Sequence, residues 1–195
     1  MIYAEIIHGF SNLYKQVNLE TVIDDHQALT QDLMQNTLDV ALLYDLHIDS
    51  NYINFMPLAD LPPYVLLAES HPLAKQQAVT LKELVDYPMI LLDMPYSNDY
   101  FLSLFRHQKL QPNVVETSKH VDVIRSMVGN NIGYTILNVR PKMDYSPDGK
   151  KLVMVRISGD VRPMKIGIAT PVNANIGKIC QAFISRCQAF ISNQY

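Results

Sequence analysis

The sequence predicts an α/β protein in which one lobe is inserted into another. Two apolar strands stopped by proline carry the insertion. Val65-Leu66-Leu67-Ala68 runs into the polar Glu69-Ser70-His71 and then Pro72, and Lys165 to Pro171 repeats the pattern beyond the middle third. Proline has no N–H and biases the residue before it away from helix, so the first strand cannot run on as a central one. The layering follows from strand–helix–strand order in residues 17–44 and from the same alternation downstream, which gives two parallel-type sheets.

The elements follow in order. Residues 3–14 set Ile6, Ile7, Phe10, Leu13 and Tyr14 on one helical face. Residues 17–22, VNLETV, alternate and read as a strand. Asp24 and Asp25 are N-cap candidates for a short helix with Leu29 and Leu33 inward, and Asn36 suits the left-handed residue past its end. Residues 38–44, LDVALLY, form a nearly continuous apolar strand of the buried parallel kind. The first helix has no strand before it, so the chain is expected to begin one strand late.

Residues 55–58 and 64–68 are extended. Thr80-Leu81-Lys82-Glu83 is a capping box, with Val79 and Leu84 as its hydrophobic staple. Residues 89–92 are a buried strand, and the polar turn 93–98 offers Ser97 as an N-cap. The helix beyond carries Phe101, Leu102, Leu104 and Phe105. Residues 112–116 are a strand, and Ser118 caps a helix with Val121, Ile124 and Val128 at helical spacing. Gly129-Asn130-Asn131 ends that helix before the strand 132–138. After the turn-rich 142–151 come strands at 152–157 and 165–170. The last helix keeps Ile176, Ile179, Cys180, Phe183, Cys187, Phe190 and Ile191 in register.

Composition narrows the function classes. The chain of 195 residues is 48% hydrophobic and 18% charged, as in ordinary globular proteins, and no run approaches the roughly 18 apolar residues of a membrane span. The opening MIYAEIIHGF has no basic region or cleavage site, so it does not read as a secretory signal, and a cytoplasmic setting is expected. Cys180 and Cys187 lie too far apart on one predicted helix for a bridge and read as buried thiols. The net charge of −3, with no basic cluster, lacks the electrostatic footprint of a nucleic-acid binder. There is no G-x-S-x-G, HExxH, P-loop, GxGxxG or zinc-ligand spacing, so neither an enzyme nor a metal or cofactor is expected.

Three ordered segments carry a resemblance: Asn36-Thr37-Leu38-Asp39-Val40-Ala41; His71-Pro72-Leu73-Ala74 followed by Val79-Thr80-Leu81-Lys82-Glu83-Leu84; and Val128-Gly129-Asn130-Asn131-Ile132-Gly133-Tyr134. Together they resemble the strand entry, the HPLA run and the glycine turn of the effector-binding domain of LysR-type transcriptional regulators. The resemblance spans essentially the whole chain. It implies two Rossmann-like lobes joined by two crossover strands, the periplasmic-binding-protein-like (type 2) fold. Lobe 1 would be 1–66 plus 170–195 and lobe 2 would be 67–169, hinged at Leu67, Ala68 and Ala169. It also implies a small effector between the lobes and a homodimer or tetramer, with Ile6, Phe10, Phe101 and Phe105 at the interface or in the core. DNA would be met only through a winged helix-turn-helix absent from this chain. Asn36 and Asn131 stand where the family usually has Gly, and Asn138 where it has Pro.

In such a fold the cleft lies at strand C-termini, where helix starts converge and favour an anion. The candidate effector contacts are therefore Asp25, His26, Tyr96, Ser97, Asn98, Ser118 and His120, with Asn138 just past a strand end. Ser97 and Ser118 read equally as plain caps, Tyr96 as an exposed loop residue, and Asn138 as satisfying its own loop. The expected function is small-molecule sensing for a LysR-type regulator. The alternative is a periplasmic-type solute-binding protein.

Overall fold

The computed structural model of the chain describes residues 2–174 and 176–192. In chain order the helices are α1 (Ile2–Leu13), α2 (His26–Met34), α3 (Leu81–Leu84), α4 (Ser97–His107), α5 (Val121–Gly129) and α6 (Lys178–Ser192). The strands are β1 (Ala41–Tyr44), β2 (Ile53–Leu61), β3 (Tyr64–Ala68), β4 (Ala78–Val79), β5 (Pro88–Leu92), β6 (Asn113–Ser118), β7 (Thr135–Leu137), β8 (Leu152–Ile157) and β9 (Met164–Pro171). Contacts divide the chain into two units, Met1–Asp60 with Lys165–Tyr195, and Leu61–Met164.

Unit 1 holds a three-stranded sheet in the order β1-β9-β2. β1 runs antiparallel to β9, from Ala41 opposite Ala169 to Tyr44 opposite Ile166. Alternation along β1 sends its side chains to both faces. Ala41 and Leu43 join Leu33, Ile53 and Ala169 on one side. Leu42 packs on the other with Ile6, Ile168 and Cys187. There α1 meets α6, and Phe10 stands edge-on to Phe183 with ring centres 5.1 Å apart. Asp60 and Lys165, where the chain leaves and re-enters the unit, are ion-paired at 2.8 Å.

Unit 2 holds a four-stranded sheet, β4-β8-β3-β7, and the parallel pair β5-β6. β3 is zipped antiparallel between β7 and β8, and all five of its residues are buried. A bridge between Met89 and Tyr134 brings β5 beside the approach to β7. Gly133 is required there, because a Cβ would collide with the Pro88 carbonyl. The capping box at Thr80 forms: its Oγ1 accepts from the Glu83 N–H at 3.2 Å, and Glu83 Oε2 accepts from the Thr80 N–H at 2.7 Å. Asn36 and Asn131 both take the left-handed backbone, at φ 58° and 59°.

Three expectations are corrected. Among the described residues, 17–22 pair with no strand, and β1 has β9 as its only neighbour in the sheet. The chain divides at 60/61 and 164/165 rather than 66/67 and 169/170, because β3 is committed to β7 and β8. Leu67 and Ala68 therefore lie inside a ladder with β8, and Ala169 inside one with β1. Ser97 and Ser118 are not the capping residues. Tyr96 and His120 occupy those positions, neither with a side-chain cap bond. Ile6, Phe10, Phe101 and Phe105 are each at most 3% exposed, so of the interface and core roles expected of them they fill the core of their own unit.

Candidate functional site

In unit 2 the parallel strands β5 and β6 end together, with Leu92 opposite Ser118. The Asp93 N–H donates to the Ser118 carbonyl at 2.9 Å and closes the pair. α4 starts a few residues past one strand end and α5 a few past the other, so the ladder brings both helix starts to one edge. Tyr96, Ser97, Asn98, Ser118 and His120 gather there.

The two starts are not equivalent. At α4 the N–H groups of Ser97 and Asn98 both donate to the Met94 carbonyl, at 3.1 and 3.2 Å. The Asp99 N–H donates to Asn98 Oδ1 at 2.6 Å, and Asn98 Nδ2 donates to Asp93 Oδ1 at 2.9 Å. Those donors are consumed locally. Tyr96 makes this turn possible by taking the left-handed backbone, φ 65°. A bulky residue in that region costs on the order of 1–3 kcal/mol, and such strain collects at functional sites. At α5 only the His120 N–H is taken, by Ser118 Oγ at 3.1 Å. The N–H groups of Val121, Asp122 and Val123 have no protein acceptor among the described residues. With the positive end of the helix dipole behind them, these donors suit an anion.

Asp25 and His26 lie in unit 1. Asp25 caps α2, its Oδ1 accepting from the Ala28 N–H at 2.9 Å. The capping carboxylate occupies the place an anion would take. His26 Nε2 lies 2.6 Å from the Leu46 carbonyl, which only accepts, so this nitrogen carries the proton. Burial is the largest influence on this imidazole and lowers its pKa. His26 thus fastens the start of α2 to the loop after β1.

Asn138 is buried, and its Nδ2 donates to the Leu61 carbonyl at 2.6 Å and to Tyr100 Oη at 3.1 Å. Tyr100 Oη donates in turn to the Arg162 carbonyl at 2.8 Å. One side-chain relay therefore ties α4 to both ends of the segment that forms unit 2. Tyr100 was not singled out from the sequence. The available signal was a lone tyrosine on an apolar helix face, whose hydroxyl needs a partner when buried. His71 is buried too and caps the 3-10 turn Pro72–Lys75, its Nδ1 accepting from the Leu73 N–H at 3.2 Å.

Residues 1–191 match the family described as LysR substrate binding domain. The chain belongs to that family. Among curated relatives, the HTH-type transcriptional regulator CysB of Haemophilus influenzae is 27% identical over 84% of this chain and 50% of its own length. The uncharacterized HTH-type transcriptional regulator YybE of Bacillus subtilis is 24% identical over 93% of this chain and 61% of its own. The chain thus spans about half to three fifths of the curated relatives it matches first. Among solved structures, the LysR family regulator HinK of Pseudomonas aeruginosa superposes with a TM-score of 0.92 at 34% identity, over 98% of this chain and 66% of that one. The C-terminal domain of a probable LysR family regulator from Rhodococcus gives 0.89 at 28% identity, over 94% and 90%. The LysR substrate-binding fold is the type 2 periplasmic-binding-protein-like α/β fold, and its likeness here is to transcriptional regulators rather than to transport components. No helix among the described residues is long and apolar enough to cross a membrane.

Proposed function

We propose that this chain is the effector-sensing part of a LysR-type transcriptional regulator and takes a small anion at the start of α5. The observation that carries the reading is the convergence of two helix starts at the end of the β5–β6 ladder, with the first-turn donors of α5 left without protein acceptors. Family membership supports it, and so do fold neighbours described as an effector-binding domain of QuiR with shikimate and of BenM with benzoate. Both of those ligands are carboxylates. Ser118 and His120 flank the donors, and Tyr96, Ser97 and Asn98 form the neighbouring turn. The domain works without catalysis, in the cytoplasm, within a two-fold oligomer. The core residues cannot supply that interface, so the exposed Val114 and Val115 of β6 and Leu13 of α1 are the surfaces for it. DNA contact belongs to polypeptide outside these residues.

A thermal-shift screen of small carboxylates, with benzoate and shikimate included, tests the reading. A ligand at a hundred times its Kd stabilises by about 2.7 kcal/mol. His120→Asp keeps a good N-cap but places a carboxylate where the anion would bind, so it should weaken the hit by roughly tenfold or more without lowering Tm. No stabilising carboxylate, or unchanged affinity in the variant, refutes the site.

A further inference from the structure

The start of α5 is backed by a buried cation. Arg125 lies one turn past Val121, about 6 Å along the helix axis. Helical side chains lean toward the N-terminus, so its stem carries the guanidinium back toward the first-turn donors. Arg125 is only 8% exposed, and it donates to the Met143 carbonyl at 2.9 Å and to the Tyr145 carbonyl. Among the described residues no carboxylate is ion-paired with it. Asp122, earlier on α5, and Asp144, between its two acceptors, are exposed. Carbonyls satisfy the donors but leave the charge unbalanced, and a buried charge without a counter-charge is unfavourable.

The segment that Arg125 holds is fastened to α5 a second time. Asn130 Nδ2 donates to Asp148 Oδ2 at 2.8 Å, and Ser146 Oγ donates to Asp148 Oδ1 at 2.6 Å. Gly129 leaves this turn its seat, since a Cβ there would lie 2.7 Å from the Lys150 Cβ. Residues 143–150 thus lie along α5, held by Arg125 at the level nearer the helix start and by Asn130 at the far end.

Given an anion at the start of α5, the reading on which this rests, we propose that Arg125 is a positioning residue for that site: the bound anion supplies its missing counter-charge, and binding in turn holds residues 143–150 against the helix. An anion binds more tightly while the guanidinium is buried beside α5 than after it has swung out to water. By linkage the anion therefore favours the buried, carbonyl-bound arrangement. Arg125 is the link because its hydrogen bonds belong to the segment and its charge to the site.

The test titrates benzoate and shikimate into the unaltered chain, Arg125→Lys and Arg125→Met by calorimetry. Amide hydrogen exchange is read with and without each carboxylate at Ser146, Gly149 and Leu152, whose N–H groups bond within residues 144–152. Arg125→Met should weaken binding by roughly tenfold. Arg125→Lys keeps the charge and should weaken it by less than about threefold. In the unaltered chain the bound carboxylate should slow exchange at the three amides by roughly threefold or more, and in Arg125→Met it should not. Unchanged affinity in Arg125→Met overturns the proposal while the α5 site stands. Equal weakening by Lys and Met assigns Arg125 a packing role and overturns it too, as does exchange in the unaltered chain that ignores the bound carboxylate. An unaltered chain that binds neither carboxylate overturns both the proposal and the site beneath it. Should Arg125→Met fail to fold, the affinity of Arg125→Lys and the exchange response of the unaltered chain still decide.

Discussion

The two units set their helix starts differently: in unit 2, α4 and α5 follow the ends of one ladder, whereas in unit 1 α2 follows an extended segment with no ladder bonds among the described residues. From Pro88 opposite Asn113 to Leu92 opposite Ser118, β5 and β6 pair through one register shift between Met89 and Ile90, and the starts of α4 and α5 follow from where that ladder ends. In unit 1 the corresponding approach to α2, residues 18–24, has no ladder. The start of α2 is held by side chains instead, Asp25 on the Ala28 N–H and His26 on the Leu46 carbonyl. A strand pair fixes where a helix starts through several backbone bonds at once and does not itself use the first-turn donors. At α4 the turn at Tyr96 consumes them all the same. At α2 the Asp25 carboxylate takes the Ala28 N–H. Of the two starts set by the β5–β6 ladder, α5 is the one that keeps its first-turn donors.

Four substitutions probe that contrast. Phe105→Ala empties a fully buried position on α4 and should cost about 3–5 kcal/mol in urea unfolding. A loss under about 1 kcal/mol would mean that the unit 2 core is not closed around α4. Asn138→Ala should cost about 1–3 kcal/mol, because the Leu61 carbonyl loses its buried donor. Tyr100→Phe in that background should cost less than Tyr100→Phe alone. Strict additivity would dissolve the relay into independent contacts. The smallest effect is expected at the unladdered segment, where Val22→Ser should stay within about 0.5 kcal/mol. A larger loss would show that this segment already has a packing partner.

Much of the fold was legible because it rests on local chemistry. The capping box at Thr80, the left-handed Asn36 and Asn131, and the strand 152–157 are each decided by a few adjacent residues. Motif spacing placed the chain in its family. The site was legible only in outline. Ser97 and Ser118 look like caps, but the turn at Tyr96 and the geometry at His120 moved the caps by one and two positions. Asn138 reads as facing the cleft or as satisfying its own loop; its amide donates instead to Leu61 and Tyr100, distant in sequence.

Periodicity and turn chemistry by themselves marked the helices and the segments with strand capacity, and the two proline-stopped strands marked the chain as one unit interrupting the other. They act over neighbouring residues, so the linear order contains them. Tertiary structure alone decided which strand-like segments obtain partners. Residues 17–22 and β6 have comparable strand patterns, yet only β6 meets a neighbour in register. A strand's hydrogen bonds are made with another segment, so its pattern is a capacity that only an adjacent chain fulfils.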